Sequence, residues 1–291
     1  MAPTGLIRRC FVLTKEELQS AIRKAVRQVR ETCPLVPSIT NTVTMNLVAN
    51  AQLAAGGSAA MINLPDEGET MAAAGSAMYI NLGTMLPVYA ETLPRTVRAL
   101  QLNGHPWVLD PVGIGMGALR MELFRCFREL TPTIVRGNAS EIIALANLWQ
   151  LKTGLLQDGV RGVDAMDSVQ AAGPAARALA KWIGGAVAVS GEQDLVTDGD
   201  TTLLCQGGSE LFTKITGAGC SLGGVTAVYA AVADPLVAAL TAVQLYNYAG
   251  SQAEQLSRGP GSFEMVLRDT IYHAAAEAIA AQPFEQQEEQ S

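Results

Sequence analysis

Short apolar runs alternate with longer segments of helical periodicity along most of this chain, and that alternation limits the fold more than any other feature. The runs AAMIN (59–63), MYINL (78–82), WVLD (107–110), TIVR (133–136) and AVAVS (186–190) are each of strand length. Between and around them the spacing predicts helices over 43–55, closed by Gly56-Gly57, after Asp66, up to Leu102, and over 119–130, 138–150 and 167–182. Strands this uniformly apolar are buried on both faces, which calls for a mainly parallel central sheet flanked by helices on both faces. The stretch 194–215 departs from the alternation. LVTDGDTTLLC offers two β-rich runs around a TDGD turn and SELFTKI a third, an antiparallel edge added to the sheet. Three helical patterns follow, over 221–233, 235–256 and 263–281. At the start, Thr14 to Glu17 reads as a capping box before Leu18, Ile22, Val26 and Val29, so 1–33 is a helical segment ending near Cys33-Pro34. The polar tail over 283–291 is expected to be disordered. Without an internal repeat or a long linker, residues 1–291 read as a single α/β domain.

Composition narrows the function. With 20 basic against 27 acidic residues the net charge is −7, which argues against a general polyanion binder, since counterion release needs a basic surface, and no nucleic-acid partner is expected. Apolar residues make up 49% and aromatics 5%, so the core must be built from Ala, Leu, Val and Met. Cys10, Cys33, Cys126, Cys205 and Cys220 are scattered without a CxxC pair, the pattern of reduced thiols in a cytoplasm. MAPTGLIRRCFVL followed by KEEL has the wrong order for a secretory signal. The longest apolar stretch, 221–243, is interrupted at Asp234-Pro235 into pieces too short for a bilayer. A soluble, cytoplasmic protein with no membrane partner is expected.

Three strand ends could carry chemistry. In KITGAGCS (214–221) two glycines open a helix after a strand, where unpaired N–H groups and the helix dipole favour an anion; the same glycines could serve only a tight turn. Cys220 falls in the first helical turn, where a depressed pKa would favour a thiolate base or nucleophile, although a cysteine is more often a buried hydrophobe. In VRGNASEI (135–142) Arg136 ends a strand, and Asn138 caps a helix bearing Glu141. This arrangement suits a nucleotide phosphate with magnesium, and equally an ordinary N-x-x-E cap. In LDPVGIGMG (109–117) Asp110 precedes a glycine loop, also a common turn composition. In open α/β sheets the ligand crevice lies outside the carboxyl ends of the strands, so all three would face one site. There is no G-x-x-x-x-G-K-[ST], no HExxH and no G-x-S-x-G. The loose dinucleotide fingerprint at Gly113, Gly115 and Ala118 is followed by a strand ending in Arg136 rather than in an acid. His105 and His273 are too few and too separated for a metal pair.

Taken together, PLVPSITNTVTMNLVAN (34–50), DPVG (110–113), RGNASEI (136–142), RGVD (161–164), VSGEQDLVTDG (189–199), TKITGAGC (213–220) and GPGSF (259–263) resemble, in order and spacing, the hydroxyethylthiazole kinase family of the ribokinase-like group, over roughly 34–269. That resemblance implies a ribokinase-like fold. It implies transfer of the ATP γ-phosphate, with magnesium, to the primary alcohol of 4-methyl-5-(2-hydroxyethyl)thiazole in thiamine salvage, by a homotrimer whose thiazole pockets lie between subunits. By the same resemblance Cys220 is the catalytic position and Gly217, Ala218 and Gly219 form the anion hole. Arg136 and Ser190, a serine where threonine is usual, contact ATP; Met45 and Gly217 contact the thiazole; Asp110 and Glu141 sit near the metal and triphosphate. Two departures, Pro37 for the family's histidine and MINLPDE (61–67), lie on the thiazole side. A kinase of another small heterocyclic alcohol, or a thiazole-binding paralogue without turnover, are the alternatives. The chemistry needs positioning and charge neutralisation, supplied by helix-end amides, magnesium and Arg136, plus a base for the alcohol proton, and Cys220 stands where relatives generally place aspartate.

Overall fold

The computed structural model describes residues 13–153 and 168–287; Cys10, the RGVD motif and the final four residues lie outside them. The chain opens with α1 (Lys15–Thr32), whose N-terminus is closed by the expected capping box: Thr14 Oγ1 accepts from the Glu17 N–H, and Glu17 returns a carboxylate to the Thr14 N–H at 2.8 Å. Its buried face, Leu18, Ile22, Ala25, Val26 and Val29, follows the helical spacing. Then come β1 (Leu35–Ile39), α2 (Met45–Ala54), β2 (Ser58–Met61), α3 (Pro65–Ala74), β3 (Met78–Asn81), α4 (Tyr89–Asn103), β4 (Trp107–Asp110), α5 (Ala118–Cys126), β5 (Ile134–Asn138), α6 (Ala139–Leu148), α7 (Val169–Ile183) and β6 (Ala186–Ser190). The remainder is β7 (Asp194–Thr197), β8 (Thr202–Cys205), a 3₁₀ turn (Glu210–Lys214), α8 (Ala218–Ala230), α9 (Pro235–Leu256), α10 (Pro260–His273), α11 (Ala276–Ala280) and β9 (Phe284–Gln286).

These strands form one nine-stranded sheet in the order β2-β1-β3-β4-β5-β6-β7-β8-β9, parallel from β2 to β6 and antiparallel from β6 to β9. Helices cover both faces over two separate apolar cores. One core holds side chains of α1, α2, α8, α9, α10 and α11, the other those of α3 to α7. The expected mainly parallel α/β sheet with an antiparallel edge is therefore the observed one. None of the described helices is long and apolar enough to cross a membrane.

The structure corrects the sequence reading in three places. β1 is a strand inside the sheet, although LVPSI carries Pro37 and the residue pattern passes from one helix to the next. Proline lacks the N–H a ladder needs, so it marks an edge or a strand start. Here β1 pairs with β2 from Leu35, but with β3 only from Ser38, and Pro37 sits below that first pair against Gly75. SELFTKI is no strand: the Ser209 Oγ accepts from the Leu211 N–H at 3.0 Å and starts the 3₁₀ turn. That turn delivers Phe212 to Tyr246 and Phe263, with ring centroids 6.0 and 5.4 Å away. The third antiparallel strand comes instead from the segment expected to be a disordered tail. β9 pairs Cys205 with Phe284 and Leu204 with Glu285, and the Phe284 ring is buried in the core.

Candidate active site

The carboxyl ends of β3, β4, β5 and β6 and the start of α8 meet at one place, and the register fixes what each delivers. Asn81 lies opposite Asp110, and Asn138 opposite Ser190. Asp110 ends β4 with no exposed surface, and its Oδ2 accepts from the Tyr79 hydroxyl at 2.8 Å and from Arg136 Nη1 at 3.4 Å. Arg136 Nη2 donates to the Ser190 hydroxyl at 2.8 Å. Asp110 Oδ1 and Arg136 Nε are buried without a partner among the described residues. Buried polar atoms left open in this way point to a ligand. Burial outweighs the nearby guanidinium and pushes the Asp110 carboxyl up to about 6. Burial also works against the Arg136 charge, but Asp110 and Glu141 overcome it and hold the guanidinium protonated.

Gly217 caps α8 with φ +93°, and no side chain caps the first N–H groups of that helix. A Cβ at Gly217 would lie 2.5 Å from Thr44, and one at Gly219 would lie 2.5 Å from Arg136 Nη1. Only glycines let the loop pass between Thr44 and that guanidinium. Ala218 and Gly219 line a cavity of about 510 Å³ together with Arg136, Ser190, Asp194 and Asn247. The structure thus brings an arginine, a hydroxyl and a free helix N-terminus around one cavity, a setting for a polyphosphate.

On the other side of the same turn, Cys220 is the third residue of α8. Its Sγ accepts from Asn81 Nδ2 at 3.3 Å and from Asn41 Nδ2 at 3.4 Å. The expectation of a depressed thiol pKa is overturned. Burial and the negative charge of Asp110 push it up, and the Thr44 side chain, Arg136 and Asn41 offset them only in part. The helix start favours a thiolate, but desolvation is the larger effect here. Met45 opens α2 directly after Thr44, whose side chain lies against Gly217. Glu141 does what its spacing allowed: its Oε2 accepts from the Asn138 N–H at 2.8 Å, completing the helix cap. Its charge still raises the Asp110 pKa.

A model of the hydroxyethylthiazole kinase family matches residues 26–277. A hydroxyethylthiazole kinase from Bifidobacterium adolescentis is 53% identical over 91% of this chain and 93% of its own, and one from Bifidobacterium animalis subsp. lactis is 49% identical over 94% and 93%. The chain belongs to the hydroxyethylthiazole kinase family. Among solved structures, the hydroxyethylthiazole kinase protein of Pyrococcus horikoshii superposes with a TM-score of 0.81 at 31% identity, over 92% of this chain and 99% of that one.

For a hydroxyethylthiazole kinase family chain, the residue patterns singled out the arginine, aspartate and glycine turn that the structure brings together, and the resemblance added the serine, but neither marked the groups that surround them. Tyr79, Asn81 and Asn41 escaped notice because they read as strand-end and turn residues. The signal that could have found Asn81 is its position, since it ends a strand just as Asp110 does. Asn247 and Phe212 come from a helix interior and from the mispredicted 3₁₀ turn.

Proposed function

We propose that this protein transfers the γ-phosphate of ATP to the primary alcohol of 4-methyl-5-(2-hydroxyethyl)thiazole, in thiamine salvage. The observation that carries this reading is the α8 turn, where Ala218, Gly219 and Arg136 line the cavity on one side while Cys220 faces the Asn41–Asn81 pair on the other. In this reading Arg136 and Ser190 hold the triphosphate, and the amides of Gly217, Ala218 and Gly219 receive the transferring phosphoryl oxygens. Met45 and Gly217 border the thiazole, and Cys220 takes the alcohol proton. Phosphoryl transfer needs alignment and charge neutralisation more than covalent chemistry, and each of these residues supplies one or the other.

Magnesium, when bound, would neutralise charge on the triphosphate. No group of three or more His, Cys, Asp or Glu side chains converges among the described residues, so no all-protein metal cage exists there. A magnesium ion is normally held by one or two carboxylates plus phosphate oxygens and water. The open Oδ1 of Asp110 and the carboxylate of Glu141 fit that demand.

The assembly belongs to the same reading: a cytoplasmic homotrimer with its thiazole pockets between subunits. Val43, Leu53, Met265 and Tyr272 are exposed apolar side chains on and beside α2 and α10, helices that pack together next to the β2 edge of the sheet. Apolar surface grouped in this way marks an interface. ADP release from magnesium-ATP, measured with the thiazole alcohol and with a panel of other small alcohols, tests the activity. Release stimulated most by the thiazole alcohol is expected. Preference for another alcohol, or binding without turnover, would replace the reading.

A further inference from the structure

Asn81 uses every hydrogen-bonding place its amide has. Its Oδ1 accepts from the Gly83 N–H at 2.9 Å and from Asn41 Nδ2 at 3.2 Å, and its Nδ2 donates to the Tyr79 hydroxyl at 2.9 Å and to Cys220 Sγ at 3.3 Å. A backbone N–H can only donate, so Gly83 settles which end of the amide faces the sulfur. Asn41 is pinned in the same way. Its Oδ1 accepts from the Thr44 N–H at 3.0 Å, which turns Nδ2 toward Cys220. Both asparagines are buried, on segments forty residues apart in sequence. Two N–H donors with fixed orientation therefore converge on one sulfur.

Arg120 fixes the loop that aims Asn81. Its buried guanidinium donates to the carbonyls of Leu82 (2.9 Å), Gly83 (3.2 Å) and Met116 (2.9 Å), tying the segment after β3 to the glycine loop after β4.

We propose that Asn41 and Asn81 are positioning residues for phosphoryl transfer, holding Cys220 Sγ with paired amide N–H groups where it receives the alcohol proton, and that Arg120 keeps Asn81 aimed. The inference rests on the reading of Cys220 as proton acceptor. In the step concerned, the alcohol O–H bond breaks and its proton forms S–H on the thiolate. The alcohol oxygen bonds to the γ-phosphorus, and the bond from that phosphorus to the bridging oxygen breaks, its electron pair leaving with ADP. Amide N–H groups stabilise sulfur as an anion more than as a thiol, so they act before the transfer and hold the base in line.

A double-mutant cycle on the full chain tests this. Asn81→Asp keeps the side-chain shape and the acceptor for Gly83 but removes the Nδ2 donations to sulfur and to the Tyr79 hydroxyl, and the Cys220→Ser background separates the two because only the first acts through sulfur. Alone it is expected to lower kcat about tenfold, the worth of one such hydrogen bond, with the ATP KM within about twofold. In a Cys220→Ser background the same change is expected to leave kcat within about twofold. An equal drop in both backgrounds would show that Asn81 supports the fold rather than the sulfur and would overturn the proposal. An unchanged kcat in Cys220→Ser alone would remove the proton-acceptor role itself, a distinct failure that takes the proposal with it. If Asn81→Asp melts early, Asn41→Asp runs the same cycle from the other segment, with the same two readings.

Discussion

Asp110, fully buried, and Cys220, half-buried, sit in one cluster, and each was moved by burial in a direction its local sequence does not show. Position in a first helical turn argues for an acidic thiol, yet desolvation and Asp110 raise it. If Cys220 is the base, its active form is a minor species at neutral pH. The expected consequence is a kcat that climbs about tenfold per unit through pH 7 and past the ordinary thiol value of about 8.5. Cys220→Asp should flatten that limb, and Cys220→Ser should lower kcat throughout; a flat wild-type profile would show that the proton leaves by another route. Asp110 makes a prediction for stability. Its folded pKa of about 6 lies above the ordinary value of 3.8, so it favours the fold while protonated and that contribution is lost as pH rises through about 6. Asp110→Asn, shaped like the protonated acid, should therefore melt higher than the wild type at pH 7.5, with the gap closing as pH falls toward 4. A melting gap that does not depend on pH would mean the carboxylate is held by Arg136 more firmly than burial opposes it. Turnover of the variant should fall at every pH, because the open carboxylate oxygen is gone.

Elements were legible where one signal acted alone and hidden where two competed. The capping boxes at Thr14 and Asn138 appear as their spacing requires, because short-range hydrogen bonds depend on nothing distant. β1 was invisible because Pro37 speaks against a strand, and its tolerance depends on where β3 begins, a fact of tertiary pairing. The 3₁₀ turn at Glu210–Lys214 and the strand β9 exchanged roles for the same reason: Phe284 is buried in the core and Phe212 packs against it, contacts with residues distant in the chain. In the site, the glycine turn and the charged strand ends were readable from residue type. The asparagines were not, since their role lies in which donor points at which acceptor. The α8 turn carries the prediction at this scale. Gly219→Ala adds a methyl into the Arg136 guanidinium, so the helix start or the arginine must move. The protein should remain folded with a melting temperature lowered by a few degrees, corresponding to about 1–3 kcal/mol of overpacking. ATP KM should rise severalfold while the thiazole affinity stays near that of the wild type. Equal weakening of both substrates would place Arg136 outside the nucleotide side.

The whole molecule presents an uneven surface: one edge of its sheet is β2, beside the exposed apolar side chains of α2 and α10, and the other is β9. Light scattering at micromolar concentration should give about three times the 30.6 kDa chain mass. An active monomer would put the whole pocket within one subunit. The β9 edge has a bearing on the order of folding. Its ladder joins residues 203–205 to residues 284–286, with α8 to α11 lying between them in the chain, so it closes the longest loop in the antiparallel half of the sheet. The hairpin of β7 and β8 forms locally, and until β9 arrives β8 offers its outer row of N–H and C=O groups to any passing strand. Shortening the chain after Gln282 should leave that row permanently open and the Phe284 site empty, costing about 2–3 kcal/mol of ring burial. In pulse-labelling exchange during refolding, the β8 amides that face β9 should be the last of the sheet to gain protection, and in the shortened chain they should never gain it. The residue that seals the edge would then also time the fold: with Phe284 still in solvent, the chain is expected to present the bare β8 edge to a neighbour as readily as to its own last strand.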